Sequence, residues 1–407
     1  MVVASPFPAN HGTPGSIREM AEAVAARGHD VHVVTYHFGE GPNPGGLHIH
    51  RIPDFGFSRR VVVGPTWERP FLDLFMVFTL CRVVLHEDID LIHAHNYEGA
   101  LVGYWARLIS GRPLVYNAVN MMTDELPSYN FFRPEILGVW LAGLLDFCVP
   151  RMADRVVAIS HDLVRMLAAQ GIKSDCLRMI PLGIDTGPFG GSDPSPIRER
   201  YALLGSPLVM YTGILDRLQR IDYLLRAMQI VVKEAPDARL LLVATIAKDK
   251  DLQECRKMVK ELNLEDRVMI TVNTSFEEIP SFLAAADVVV VCRPRCPGFP
   301  VKVLNYMAAG KPIVAFEGSA KGLRHMTTAF VVGDDDWRGL AQGIISLLQN
   351  PKMAAGLGED AREWVKTHLG WPRITGELET VYYDLLREQK GKNREALVPR
   401  KPDGSMR

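Results

Sequence analysis

Cysteine is scarce in this sequence. Six thiols, at positions 81, 148, 176, 255, 292 and 296, are spread over 407 residues. That is too few for a disulfide scaffold in a chain this long, and it points to a reducing compartment. An excess of charge is also missing: 46 Lys+Arg stand against 47 Asp+Glu, a formal net charge of -1. This excludes a globally basic nucleic-acid binder and a highly charged, disordered composition. Long hydrophobic runs are absent too. Asp73 and Arg82 interrupt Phe71–Leu85, and Asp146 interrupts Val139–Val149. Neither reaches the roughly 20 apolar residues that span a bilayer. The opening MVVASPFPANHG has no basic n-region and no long apolar core, so a secretory signal is not expected. The expectation is a soluble protein or one attached to a membrane surface. Familiar catalytic signatures are missing as well. No Gly-Lys-Ser/Thr of a Walker loop, no GxGxxG and no GxSxG or HExxH occurs, which leaves a nicotinamide cofactor poorly supported.

What is present is a long alternation of strand-like and helix-like segments. Val2–Ala4, Asp30–Tyr36, Asp90–His95, Pro113–Asn117 and Arg155–Ile159 read as strands. Helical spacing at Ile17–Arg27, Glu98–Ile109 and about Asp162 to Ala169 separates them. The Gly/Pro/Asp/Ser-rich stretch Gly183–Pro196 breaks the pattern and reads as a linker. The alternation then restarts, with strands at Leu208–Tyr211, Arg239–Val243, Val268–Ile270, Asp287–Val291 and Pro312–Phe316. A last helix is predicted over Trp371–Glu388. The fold class is therefore α/β, with two parallel-sheet domains and ligands bound in a cleft outside the strand C-termini. The residues from Lys390 onward hold six Lys/Arg, two acids and two Pro, and are expected to be a solvated, disordered tail.

Two loops can carry chemistry. Asn10–Ser16 lies between the first strand and the first helix, where Gly12 and Gly15 allow close backbone approach and a helix N-terminus favours an anion. The second loop, Cys292 to Asn305, leaves an apolar strand and enters a helix. Its Gly298 can expose backbone N–H groups, Arg293, Arg295 and Lys302 bring positive charge, and Asn305 follows Lys302 on one helix face. Cys292 and Cys296 have no second Cys/His pair nearby, so structural zinc is not expected. His93 and His95 would share one face of a strand, but no carboxylate is spaced to complete a metal site. Asp124 and Glu125 follow Pro113–Asn117 through a short loop that can reach the cleft, although adjacent loop carboxylates rarely face one point, as a glycosidase pair must.

From Ser5 to about Leu386 the chain resembles the retaining glycosyltransferases of family 4, which have the GT-B fold. The resemblance rests on HGTPGS at 11–16, AARGHDVHVVTYH at 25–37, DLIHAHN at 90–96, VVAISHD at 156–162, IPLGIDTGPF at 180–189, YTG at 211–213 and GFPVKVLNYMAAGKPIVA at 298–315. It implies two Rossmann-like domains facing each other across a cleft. Residues 1–185 would form the acceptor side, completed by a C-terminal helix over 371–388. Residues 186–370 would bind a nucleotide-sugar, and 389–407 would be the basic tail. The family's two glutamates would fall at 297 and 305, where this chain has Pro297 and Asn305. Its Arg and Lys would fall at 214 and 219, where Ile214 and Gln219 stand. Its histidine would fall at 119, which is Val119, with Asn120 beside it.

The resemblance implies transfer of a sugar from a UDP-, GDP- or ADP-sugar to an acceptor hydroxyl with retention, without cofactor or metal. The candidate catalytic residues are Gly12, Asn120, Arg217 and Arg220, the arginines replacing the missing cations at the diphosphate. The candidate substrate contacts are His11, Gly15, His95, Asp124, Glu125, Arg293, Gly298, Phe299, Lys302 and Asn305. The expected partners are the donor and an acceptor on a lipid or cell-envelope glycan. An anionic membrane surface would be a further partner if the apolar segments Trp67–Leu85, Tyr129–Phe132 and Ile136–Phe147 are exposed. No nucleic acid is expected, and the chain would be a monomer or homodimer in the cytoplasm or on the inner face of its membrane. The alternative is a catalytically weak or inactive relative that serves as a binding or partner subunit.

Overall fold

A computed structural model of the chain describes residues 1–8, 12–39, 43–57, 59, 64–129, 131–296 and 298–396. The N-terminal strands are β1 (Val2–Val3), β2 (His32–Thr35), β3 (His48–Arg51), β4 (Ile92–His95), β5 (Leu114–Ala118), β6 (Arg155–Ala158) and β7 (Leu177–Met179). The C-terminal strands are β8 (Leu208–Leu215), β9 (Arg239–Ala247), β10 (Val268–Thr271), β11 (Val288–Val291), β12 (Ile313–Phe316) and β13 (Phe330–Val332). They build a seven-stranded sheet in the order β3-β2-β1-β4-β5-β6-β7 and a six-stranded sheet in the order β10-β9-β8-β11-β12-β13. Neighbouring strands run parallel throughout, as in the pairs β1–β4 and β8–β11. The sequence shows why: β11 is four valines, all buried, as a strand covered by helices on both faces requires.

In each sheet the order reverses beside the first strand of the domain, between β1 and β4 and between β8 and β11. Such switch points open a crevice at the strand C-termini. The two crevices face each other, and the chain crosses between domains twice at one place. Ile184 N donates to Leu369 O over 2.9 Å there. Gly183 packs under the Trp371 indole so closely that a Cβ would lie 2.5 Å from the ring.

After the second crossing, helix Trp371–Ala396 lies back on the N-terminal domain. Trp371 Nε1 donates to Glu19 (2.8 Å), Glu379 receives Arg27 and His29, and Tyr382 Oη meets His93 Nδ1 (2.7 Å). The tail prediction needs correction here. The helix continues past 388 to Ala396, and 397–407 lie outside the described residues. Gln389 Nε2 donates to Gly111 O (2.7 Å), and Arg155 holds Glu388, so this end is anchored. The start of the first helix also differs. It runs over Gly12–Ala25, because Pro14 is tolerated in a first turn where its missing N–H costs nothing. The helix Pro351–Leu369 was not predicted. No helix among the described residues is long and apolar enough to cross a membrane.

Candidate functional site

Between the sheets lies a cavity of about 210 Å³. Asn120, Asp124 and Glu125 line it from the N-terminal domain. Gln219, Arg293, Phe299, Lys302 and Asn305 line it from the other. It opens onto a second, larger cavity of about 610 Å³ in the N-terminal domain, walled by Trp67, Leu101, Phe131, Phe132, Leu141 and Leu145. Val119, Asn120, Glu125, Ile214, Gln219 and Arg293 line both. Groups bound in the two cavities meet at these residues.

Lys302 is the central cation. It stands in the first turn of helix Val301–Ala308, which follows β11. Its Nζ donates to Tyr211 Oη (2.6 Å) and to Gln219 Oε1 (2.9 Å), and sits 3.9 Å from the Tyr211 ring centroid. Burial pushes its pKa down to about 8. The partners are themselves fixed. Asp216 Oδ1 accepts from the Leu218 and Gln219 amides (2.9 and 3.1 Å), which sets the turn that carries Gln219. Tyr211 Oη donates to Ile214 O (2.8 Å). Asn305 is buried one turn beyond Lys302 and faces the same cavity.

Arg293 follows β11 and reaches both cavities. Its Nε donates to Arg295 O (2.9 Å), and the Ser319 hydroxyl holds its carbonyl. Arg295 is exposed. Cys292 is a buried core thiol that donates to Gln219 O (3.2 Å), with its pKa pushed up to about 12 by burial. Gly298 serves close approach. A Cβ there would lie 2.3 Å from Val119 O, so this glycine lets the two domains touch across the cleft. Lys321 and Asp162 pair across the same interface. Pro297 lies outside the described residues.

On the N-terminal side, Asp124 and Glu125 belong to a short helix, Met122–Glu125, rather than to the predicted loop. Both line the cleft. Burial raises the pKa of each. Glu125 hydrogen-bonds Asn120 and accepts from Tyr129 Oη (3.3 Å). The buried Asp146 carboxylate holds this segment in place. It accepts from Met122 N (2.8 Å), Thr123 N (3.0 Å), Thr123 Oγ1 (2.8 Å) and Tyr97 Oη. The sequence reading registered Asp146 only as an interruption of an apolar run.

Several predicted residues lie elsewhere. Arg217 and Arg220 do not line the cleft; they border a separate hollow with Asp222, Asp251 and Glu254. Arg220 has a left-handed backbone (φ 51°). Its guanidinium therefore turns to Asp222 (2.8 and 2.9 Å) and stacks 3.6 Å from the Tyr223 ring centroid. Arg217 is exposed. His95 is fully buried against Asn117 (3.3 Å), and burial holds its pKa well below the usual imidazole value. It is a core residue, not a cleft contact. Gly12 begins the first helix and Gly15 is buried in its first turn, while Thr13 supplies the cleft lining. His11 lies outside the described residues.

The larger cavity adds residues that the sequence reading did not select. Arg69, Asp73 and Glu98 add charged groups to its wall. Arg69 pairs with Glu98 (2.8 Å). Asp73 accepts from Tyr36 Oη (2.8 Å), and burial, with Glu98 nearby, raises its pKa to about 7. Asp73 was visible in the sequence only as a polar interruption of an apolar segment.

Two Rossmann-like domains that face each other across a shared crevice, with the last helix returned to the first domain, define the GT-B fold. Residues 12–187 match the family model Glycosyltransferase Family 4, and residues 196–364 match Glycosyl transferases group 1. The chain belongs to this glycosyltransferase family, whose members move a sugar from a nucleotide-sugar donor to an acceptor. It is 24% identical over 385 residues to N-acetyl-alpha-D-glucosaminyl L-malate synthase of Bacillus anthracis, covering 91% of this chain and 93% of that protein. It is 29% identical over 230 residues to a GDP-mannose-dependent alpha-(1-6)-phosphatidylinositol monomannoside mannosyltransferase of Mycolicibacterium smegmatis, covering 54% of this chain and 59% of that one. The fold matches sucrose-phosphate synthase of Thermosynechococcus elongatus at TM-score 0.79 and 22% identity, over 95% of this chain and 98% of that chain.

Proposed function

We propose that this protein is a retaining glycosyltransferase that works at a membrane surface and glycosylates a lipid-linked hydroxyl. The donor diphosphate sits in the cleft against Lys302 and Arg293, with Asn305 toward the ribose. As the sugar's anomeric carbon breaks its bond to the diphosphate oxygen, the acceptor oxygen bonds to the same face. The acceptor proton passes to a leaving-phosphate oxygen, so no protein base is needed. Positive charge held in place before reaction stabilises the leaving diphosphate most where water is excluded. Asn120 and Glu125, at the junction of the two cavities, orient the acceptor hydroxyl.

The observation that supports the lipid acceptor is a set of exposed apolar side chains on the helices that wall the larger cavity. Trp67 is 77% exposed and Ile136 72%, and Phe71, Phe78, Trp105, Leu108, Ile109, Trp140 and Phe147 are also exposed on helices Arg69–His86, Asn96–Ser110 and Glu135–Cys148. Arg59, Arg82, Arg133 and Arg151 are exposed in the same domain. Exposed large apolar side chains gathered in one domain mark a surface for lipid or protein, and basic side chains in the same domain suit anionic headgroups. Of the relatives described above, one is named for a soluble acceptor, malate, and one for a phosphatidylinositol mannoside. The apolar surface favours the second class. The test is nucleotide release from a panel of nucleotide-sugars with detergent-extracted lipids and with soluble acceptors. Turnover on lipid alone supports the proposal. Equal turnover of soluble acceptors by a protein that does not bind anionic liposomes overturns it.

A further inference from the structure

At the pole of the N-terminal domain opposite the cleft, the edge strand β3 and its parallel neighbour β2 bring three histidines together. His32 opens β2 and His48 opens β3, and the two are paired in register. Their rings stack with centroids 4.7 Å apart. Asp30, two residues before His32, reaches both: Oδ2 lies 3.3 Å from His32 Nε2 and Oδ1 lies 3.2 Å from His48 Nε2. One ligand atom from each of the three residues lies within 4.8 Å of the others, the one such His/Cys/Asp/Glu group found among the described residues. We propose that Asp30, His32 and His48 form a zinc site.

The geometry admits a tetrahedral ion as well as an ion pair. Charge-assisted hydrogen bonds to a carboxylate run at about 2.7–2.9 Å, shorter than either contact here. Ligands about 2.0–2.1 Å from a tetrahedral zinc stand about 3.3 Å from one another, and each imidazole nitrogen stands about that far from its own carboxylate oxygen, Oδ2 for His32 and Oδ1 for His48. Two imidazole nitrogens and one carboxylate oxygen are a zinc donor set with a fourth position left for water. Asp30 and His32 border a hollow of about 380 Å³ that Glu87 also lines, so a water has room. The outer shell is present as well. His32 Nδ1 lies 2.9 Å from His50 Nε2, and the two rings are nearly parallel, at 8°. A ligating histidine whose other nitrogen is so engaged has its ring orientation fixed. The ion takes no part in sugar transfer. It fastens the edge strand β3 to β2 and displaces the imidazole protons that otherwise point at Asp30. From the sequence no metal is expected, because the resemblance implies none and because neither His93 and His95 nor the Cys292–Cys296 loop has the partners to complete a site.

The test uses the full chain, stripped with a chelator and titrated with Zn2+ against a chromogenic competitor. The expected result is one Zn2+ bound per chain, with proton release. His48→Ala and Asp30→Asn should each weaken binding by about tenfold or more, and His50→Ala by about tenfold without removing a ligand. His48 and Asp30 are 63% and 73% exposed, so both variants should keep the parent circular dichroism and unfolding midpoint without metal. Co2+ in place of zinc should give the intense visible bands of a four-coordinate ion. The proposal is overturned if no stoichiometric Zn2+ binds, or if binding is unchanged in His48→Ala and Asp30→Asn.

Discussion

Lys302 Nζ donates to Gln219 Oε1 over 2.9 Å, which places the cleft's buried cation beside the turn after β8 but supplies it from the helix after β11. The resemblance puts a lysine at position 219. Here the cation comes from a neighbouring helix of the same domain, and Gln219 holds it. Lys302→Met should therefore lower kcat/KM by about 10²–10³, the usual cost of one preorganised donor at a developing anion. Arg217→Ala and Arg220→Ala should leave it within about twofold, because neither residue lines the cleft. Burial holds the Lys302 pKa at about 8. Its charge is present below that value and lost above it, so kcat/KM should fall as pH rises through about 8. In kcat the same limb should move to higher pH, since bound diphosphate favours the ammonium. Steady-state profiles on the parent and Lys302→Met read both effects.

Gly298 and Val119 make a second prediction. A Cβ at 298 would stand 2.3 Å from Val119 O, and the carbonyl belongs to the other domain, so the cleft must open for Gly298→Ala to fit. A displacement near 1 Å at a reacting centre costs about 10²-fold in rate. We expect that loss in kcat, an unchanged unfolding midpoint, and faster release of free sugar from the donor as water enters. Unchanged kcat with normal donor hydrolysis would show that the domains do not close on Gly298.

Much of this was legible in the sequence. Alternating buried strands such as Val288–Val291 announce a parallel sheet whatever their partners, and the linker at Gly183 is marked by its composition. Lys302 and Asn305 could be placed on one face because helical spacing is local. The fate of Arg220 was not local. Its left-handed backbone and the pull of Asp222 turn it away, and both depend on how the following helix starts. Asp146 was unreadable for a similar reason. Its four donors come from residues 97, 122 and 123, and no spacing rule joins them. The histidines at 32, 48 and 50 meet only through the register of β2 and β3.

Asp146 supports the acceptor side of the cleft through those four hydrogen bonds. Asp146→Ala leaves buried donors unpaired, each costing about 1–3 kcal/mol, so a total loss of about 3 kcal/mol or more is expected in urea unfolding. Asp146→Asn keeps the shape and one acceptor oxygen, and should lose less. A purely structural role would change stability alone. If Asp146 also positions Asn120 and Glu125, Asp146→Asn should raise the acceptor KM several-fold while the donor KM stays near the parent value.

The apolar surface gives a prediction that separates docking from chemistry. Ile136 and Trp140 are exposed on helix Glu135–Cys148, so Ile136→Asp and Trp140→Asp should change stability by no more than about 0.5 kcal/mol. Full burial of such a side chain in lipid contributes about 1.5–3 kcal/mol, so each variant should bind anionic liposomes about tenfold more weakly or worse. Arg133→Gln and Arg151→Gln should each remove about 1 kcal/mol of the salt-dependent part. Donor hydrolysis in solution should be untouched in all four, because none of these side chains lines the donor cavity. Cosedimentation at two salt concentrations distinguishes the two contributions. If the aspartate variants bind liposomes as the parent does, this face is not the docking surface.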